Sequence, residues 1–551
     1  MEFNYKFKGE SSVKSNAEAV DMSFSPDLFR EPTYFSGLLN SKVPFREAIS
    51  ALHDIVVSDY RFKPKDKSDY KEWAKQQEDI WLAEYLKGTA DVEVKLKAVQ
   101  QELQEIRRQK EQILAPFNKA KINYFQYIYK HNRDAWMVLD PVITVHPDEL
   151  FFECFSKDES TYGKLGCNYN VFKNLKEFKC GTTNVDYSAD LYNEFQKVRD
   201  YKETHFNIDP SGFEVQTANE EAYKEVKIDV PESWVRGFLQ VSSAMTLPAH
   251  VFNLHPTDLY NICFTLRRNK EKEGPRSIRF VLKPGEPVKL IFEPWNLEIK
   301  CGRSVYDGKE PAEIRIWGRR RLLLLERLIP IAKGFKVVLL GSGLPSFFVA
   351  DLGDLNFTLG LSGWTANDWS QTSNFDLLAP RMEVDNITMQ KVYTGLKENW
   401  SEPAPALAKR LNLDQKIVLG ALSAFTQAGR VIFDIHNGTY RIRELSREAL
   451  PVEKLRFANE REEEATILVE AGNVRDIQLE AKEYLKQIKA SVKEKDKFYS
   501  PILLIDKDER LVKASCTCNF YTQNKLMQGP CKHILAARIA EGQKVKFDFS
   551  L

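Results

Sequence analysis

The sequence predicts an α+β multidomain chain, and three observations carry that reading. Short runs that alternate apolar and polar residues, such as "SIRFVLK" and "AEIRIWG", have the period of strands. Runs such as "FREAISALHDIVVSDY" have the period of helices. Residues 514–540, "ASCTCNFYTQNKLMQGPCKHILAARIA", gather three of the eight cysteines and one of the eight histidines. The predicted order is a helical N-terminal region (1–90), a long helix or coiled-coil hairpin (91–130) and a central mixed α/β domain (131–385). A winged helix-turn-helix (386–448) and a metal-binding C-terminal domain (449–551) follow.

A chain of 551 residues has room for about three or four domains. Its formal net charge of +1 sets up no global field toward nucleic acid or a membrane, so any such binding needs a local patch. The N-terminal "MEFNYKFKGESSVKSN" has no apolar core of the signal-peptide kind. The most apolar stretch is interrupted by Glu326, Arg327, Lys333 and Lys336, so it does not read as a spanning helix. A cytoplasmic protein with reduced thiols is expected.

In the N-terminal region Phe45, Ile49, Leu52, Ile55 and Val56 share one helical face. Trp73, Ile80, Trp81 and Tyr85 repeat the period in a second helix. His53, beside the first face, reads as a packed helix histidine. Val94, Leu96, Val99, Leu103, Ile106 and Ile113 form a broken heptad-like stripe, suited to a coiled-coil hairpin or to burial on a neighbour.

The central block mixes strands with the helical "ESWVRGFLQVSSAM" and "RLLLLERLIPIA", which suggests a largely antiparallel sheet. Cys154, Cys167, Cys180, Cys263 and Cys301 lack metal-ligand spacing and read as core or incidental thiols. The basic run 318–322, "GRRRL", reads as pairing with acids such as Glu326 and Glu313. Residues 266–276, "LRRNKEKEGPR", read as a solvated linker.

Between 386 and 448 come the helical stretches "TMQKVYTGLKENW", "APALAKRLNL" and "DQKIVLGALSAFTQAG". Asp414 is placed to cap the third and Gly429 to stop it. "RVIFDIHNGTYRIRE" then alternates around Asn437-Gly438, a strong hairpin signal. Three helices and a hairpin in this order make a winged helix-turn-helix. On the third helix Gln415, Lys416, Ser423, Thr426 and Gln427 would face a major groove. Lys409, Arg410, Lys416, Arg430, Arg441 and Arg443 are the candidate phosphate contacts, opposed by Asp414, Asp434 and Glu444.

In the last domain "SPILLIDKDERLVKASCTC" reads as a hairpin and "CKHILAARIAEG" as a helix. The stretch before them leans toward strands with one helical turn. Cys516 and Cys518 sit two residues apart at a strand end, and Cys531 and His533 repeat that spacing where a helix begins. Three thiolates and one imidazole suit a closed tetrahedral Zn²⁺ site with no open position, so the zinc is structural. The site's single net negative charge is offset by Lys513, Lys525 and Lys532. Lys525, Lys532 and Arg538 are also placed either to meet a nucleic-acid backbone or to be solvated. Ion binding at such sites contributes about 10–16 kcal/mol, which is folding energy. Losing Cys516 or His533 is expected to unfold only the C-terminal domain.

Cys516-x-Cys518, a loop and Cys531-x-His533, with a hairpin before and a helix through the second pair, resemble the SWIM zinc finger. "FREAISALHDIVVSDYRFKPKD", "IRIWGRRRLLLLERL" and "LGSGLPSFFVADLGDLNFTLGLSGWTANDWS" resemble large bacterial SWIM-family proteins. That resemblance implies association with a MoxR-type AAA+ ATPase and a von Willebrand A-domain protein, in a conflict-defence or chaperone-like system.

Catalytic motifs are missing. "LLGSGLPS" lacks the Gly-Lys-Ser/Thr ending of a P-loop and reads as a tight turn. "LGLSGW" is not a nucleophile elbow, and there is no His-Glu-x-x-His. Trp364 and Trp369 read as core more readily than as a binding surface. The sequence therefore points to a non-enzymatic zinc-binding adaptor that recognises a macromolecule. The rival reading is a DNA-binding protein using the winged helix and the finger.

Overall fold

The computed structural model describes residues 12–15, 19–24, 33–59, 141–175, 178–184, 192–193, 195–201, 203–208, 232–270, 276–364, 367–370, 374–379, 384–445, 460–482, 485–506 and 510–548. The predicted second helix and the heptad stripe of 91–130 lie outside them. The described helices are α1 (Lys42–Val57), α2 (Glu232–Met245), α3 (Pro256–Arg268), α4 (Asn386–Asn399), α5 (Ala404–Leu411), α6 (Gln415–Gln427), α7 (Glu460–Glu470), α8 (Asn519–Asn524) and α9 (Lys532–Asp548). None is long and apolar enough to cross a membrane.

The N-terminal region departs from the all-helical expectation. Ser12–Ser15, Ala19–Phe24 and Phe35–Leu39 are strands, joined in one sheet with Glu203–Ile208 and Phe172–Lys173. The pairing of Ala19–Phe24 with Glu203–Ile208 is parallel. Phe35, Gly37 and Leu39 alternate inward with outward Ser36 and Leu38, a period of two over too few residues to have stood out beside the helix that follows. That helix, α1, forms as read, burying Phe45, Ile49, Leu52, Ile55 and Val56. His53 is buried on it and stacks on Tyr192 at 4.0 Å.

The largest sheet among the described residues is an antiparallel eight-stranded one. Its order is His250–Leu254, Gly334–Leu339, Ser346–Asp351, Leu355–Leu361, Thr161–Asn168, Glu149–Phe155, Val142–Val145 and Gly181–Asn184. Both faces of its middle are covered, which is why Glu149–Phe155 and Leu355–Leu361 are buried throughout. On one face α1 comes so near Gly163 that a Cβ there would lie 2.6 Å from Ile55. On the other, Phe155 and Tyr162 meet Phe238 of α2. A four-stranded antiparallel sheet (Ser277–Leu282, Pro287–Phe292, Leu297–Val305, Ala312–Trp317) adjoins this one through α3 and the strand His250–Leu254.

"RLLLLERL" is a 3₁₀ stretch, Arg319–Leu328, rather than an α-helix. Of the "GRRRL" arginines, Arg319 and Arg321 are buried. Arg319 donates to the Ser277 carbonyl and lies over Trp295, and Arg321 sits 3.9 Å from Asp158. Trp369 is fully buried core.

In 386–445 the chain runs α4, Ser401–Glu402, α5, α6, then Val431–Asp434 and Thr439–Ile442, with sheet order Ser401–Glu402, Thr439–Ile442, Val431–Asp434. Asp414 caps α6 by accepting from Lys416 N at 2.7 Å. Val392, Leu396, Leu407, Val418, Leu422 and Ile442 form its core. The C-terminal sheet is Val474–Lys482, Leu485–Glu494, Ile502–Asp506 and Leu511–Ser515, with Lys497–Tyr499 on the second strand. α7 and α9 pack together on it, enclosing Leu377, Ala465, Leu468, Val492, Leu535 and Ala536.

Candidate metal centre

The hairpin Ile502–Asp506/Leu511–Ser515 pairs Ile502 with Ser515, so the chain leaves the sheet immediately before Cys516. Cys518 caps α8, its sulfur accepting from Tyr521 N at 3.4 Å, and Tyr521 Oη donates back to the Ala514 carbonyl at 2.6 Å. After α8 the chain returns to Cys531, whose carbonyl accepts from Leu535 N and opens α9. His533 lies in that first turn. The one ligand atom from each of Cys516, Cys518, Cys531 and His533 lies within 4.8 Å of the other three, and all four residues are buried. A tetrahedral zinc at ordinary bond lengths needs ligand atoms roughly 3.5–3.8 Å apart, so the cluster closes on one ion with small adjustments.

The imidazole is held for ligation. His533 Nε2–H donates to Glu494 Oε2 at 3.0 Å, while Nδ1 is buried with no hydrogen-bond partner. That leaves the Nδ1 lone pair for the ion, the usual division of labour in a carboxylate–histidine–zinc relay. Tyr499 stacks on the ring at 4.1 Å. Lys532 donates to Glu494 at 2.8 Å and lies 3.2 Å from Glu464. Burial pushes the Glu494 carboxyl up, but hydrogen bonds from Lys532 and His533 hold it below its ordinary value.

Crowding marks the thiols too. Hydrogen bonds with Cys516 and Cys531 hold Cys518 far below the ordinary thiol range. Hydrogen bonds with Cys516 and Cys518 push Cys531 far above it. Three thiolates this close need a cation to ionise together, and the donor set suits Zn²⁺. Four protein ligands leave no position for water or substrate. Sequence spacing found all four ligands; Glu494 and Tyr499 lie on a strand and a short edge piece with no ligand spacing, and no local signal marks them.

The finger is seated on the central region. Met527, between the ligand pairs, packs on Gly343, where a Cβ would lie 2.4 Å from its sulfur, and its carbonyl accepts from Asn367 Nδ2 at 2.6 Å. Arg538 of α9 is buried and donates to the carbonyls of Leu377 and Ala379. Arg461 of α7 donates to the carbonyls of Gln528 and Pro530 and lies over Phe520. Arg538 is thus an internal strut, and Lys532 is bound to carboxylates.

The six candidate phosphate contacts do not form one surface. Arg441 and Arg443 are 2% and 0% exposed, a correction to their reading as solvent-facing cations. Arg441 donates to Asp434 at 2.9 Å and Asp148 at 2.8 Å, with Glu149 at 3.4 Å. Arg443 donates to Glu153 at 3.2 Å and Ser242 at 3.1 Å. Lys164 lies 3.5 Å from Glu149 and 3.6 Å from Asp434. Glu149, Glu153 and Lys164 share the sheet face that meets α2, because Glu153 pairs with Lys164 as Phe155 does with Tyr162. The hairpin is therefore bolted to the sheet through a buried ionic seam. Lys336 adds a bond to the Ile435 carbonyl at 2.8 Å.

The other four lie elsewhere. Arg410 is held by Glu398 and Glu402, and Arg430 is partly buried over Tyr393. Lys409 and Lys416 are exposed. On α6, Ser423 and Thr426 are buried, and α2 packs against α6 and Val431–Asp434.

Residues 503–540 match the SWIM zinc finger family. A search of curated proteins finds no match. Among solved structures, the proliferating cellular nuclear antigen of Entamoeba histolytica aligns at 11% identity over 41% of this chain and 89% of that one, with a TM-score of 0.28. A likeness at that level fixes no fold.

Proposed function

We propose that this chain is a non-enzymatic, cytoplasmic zinc-binding adaptor that recognises a macromolecule. In this reading it acts with a MoxR-type AAA+ ATPase and a von Willebrand A-domain protein in a bacterial conflict-defence or chaperone-like system. The partners rest on the resemblance of the chain to large bacterial SWIM-family proteins. The observation that carries the adaptor reading over DNA binding is the ionic seam. Arg441 and Arg443 are spent inside the molecule on Asp148, Asp434 and Glu153.

The order α4, short strand, α5, α6, hairpin supports a winged helix. Its hairpin is packed on the sheet and α2 packs against its third helix, so in this reading the winged helix serves protein packing. Fold alone does not confer DNA binding. The closed ligand set of the finger supports a structural zinc that shapes a recognition surface.

The test is an affinity pull-down of the tagged chain from its own cells, with and without nuclease, read by mass spectrometry. An ATPase and a von Willebrand A-domain protein that survive nuclease are expected. Partners that vanish with nuclease would move the DNA-binding reading ahead, with Lys409, Lys416 and the ion-paired Arg410 as its exposed candidate contacts.

A further inference from the structure

Helix α3 buries Leu259, Ile262, Cys263 and Leu266 and leaves its other face open. That open face carries Thr257, Tyr260, Asn261, Phe264 and Arg268. Tyr260 and Phe264 are each 51% exposed, with ring centroids 6.4 Å apart and planes 21° apart. A single exposed apolar side chain is ordinary, but these two rings form a stacked pair. His255 N donates to Ser304 Oγ at 2.9 Å, and His250 Nδ1 lies 3.2 Å from Tyr306 Oη. These bonds hold the two strands at the start of α3 side by side.

Cations stand at both ends of the ridge. Arg303 reaches Thr257 Oγ1 at the N-terminal end, and Arg268 closes the C-terminal end. Neither has an ion-pair partner among the described residues, whereas neighbouring Arg267 is bound by Glu326. Thr257 and Arg268 are eleven residues apart, roughly 16 Å along a helix. The helix's own carboxylate, Asp258, is buried and takes hydrogen bonds from Ser304 and Arg303 N.

We infer that this face docks an acidic amphipathic helix of a partner protein. Apolar side chains of that helix cover Tyr260 and Phe264, and carboxylates near its two ends meet Arg268 and Arg303. Aromatic rings flanked by arginine are the residues that dominate protein interfaces. A single nucleic-acid strand fits less well, because two cations neutralise few phosphates. The inference rests on the adaptor reading, names one partner chemistry for it, and uses no residue of the zinc centre.

The experiment uses the full zinc-loaded chain and a fluorescent synthetic helical peptide with a leucine stripe flanked by glutamates. Controls are the same peptide with lysine for glutamate, and oligothymidylate. Anisotropy is expected to show binding of the acidic peptide, weakened at least tenfold by Tyr260→Ala/Phe264→Ala. The double reversal Arg268→Glu/Arg303→Glu is expected to abolish it and to create binding of the lysine peptide. All four side chains are exposed, and circular dichroism and zinc content check that the variants fold. Equal binding of both peptides, or wild-type affinity in both variants, overturns the inference. So does oligothymidylate binding that those variants lose. Retention of the ATPase from cells without peptide binding would remove this docking face and leave the adaptor reading standing. Peptide binding without the ATPase would do the reverse.

Discussion

At the scale of single residues, the zinc ligands act through a partner outside the ligand set. Glu494 fixes which nitrogen of His533 carries the proton, and Tyr499 fixes the plane of the ring. Outer partners of this kind typically control affinity by 10–100-fold. Glu494→Ala is therefore expected to weaken zinc binding by roughly that factor, and Glu494→Gln by less, since an amide oxygen still accepts from Nε2–H. Competition with a chromophoric chelator measures it. Unchanged affinity in Glu494→Ala would mean that the His533 ring is held by stacking alone.

At the scale of elements, the hairpin Val431–Asp434/Thr439–Ile442 shows where sequence is legible and where it stops. Asn437-Gly438, the alternation and the Asp414 cap announced the hairpin and the helix before it, because those signals are local. The burial of Arg441 and Arg443 was illegible, because it depends on Glu149, Glu153 and Lys164 nearly three hundred residues earlier. In a strand those residues look like the solvated half of an alternation. The strand Ala19–Phe24 is illegible for the same reason, since the strand Glu203–Ile208 that pairs with it comes much later. The seam predicts a clear contrast. Arg443→Ala strands Glu153 in the interior, still bonded by Tyr162 but without its cation, and is expected to cost about 3–5 kcal/mol. Lys409→Ala, at an exposed site, should stay within about 0.5 kcal/mol. Urea unfolding of the two variants compares them. An Arg443→Ala chain as stable as wild type but weaker on DNA would return that arginine to the phosphate-contact list.

At the scale of the whole molecule, the metal centre and the central sheet are mechanically joined. The ligand spacing alone suggested a C-terminal domain that folds and unfolds by itself. Yet α9 begins at two zinc ligands, and further along it Arg538 carries the carbonyls of Leu377 and Ala379. Its Leu535 and Ala536 share a core with Leu377, Ala465, Leu468 and Val492. Met527 and Asn367 clamp the intervening loop to the turn at Gly343. Removing the ion leaves three crowded thiols that cannot ionise together, so the start of α9 loses its anchor. Chelation followed by hydrogen exchange should release protection in 511–542 and also in α7 and residues 374–379. The eight-stranded sheet, whose core has both faces covered by α1 and α2, should keep its protection. Loss confined to 511–540 would show that the finger melts without disturbing its seat. Loss spreading into Leu355–Leu361 would show that the zinc holds the central fold as well. The intermediate outcome is the one the contacts favour, because the bonds from α9 end at Ala379 and those from the loop end at the turns that follow the strands, short of the sheet's buried middle.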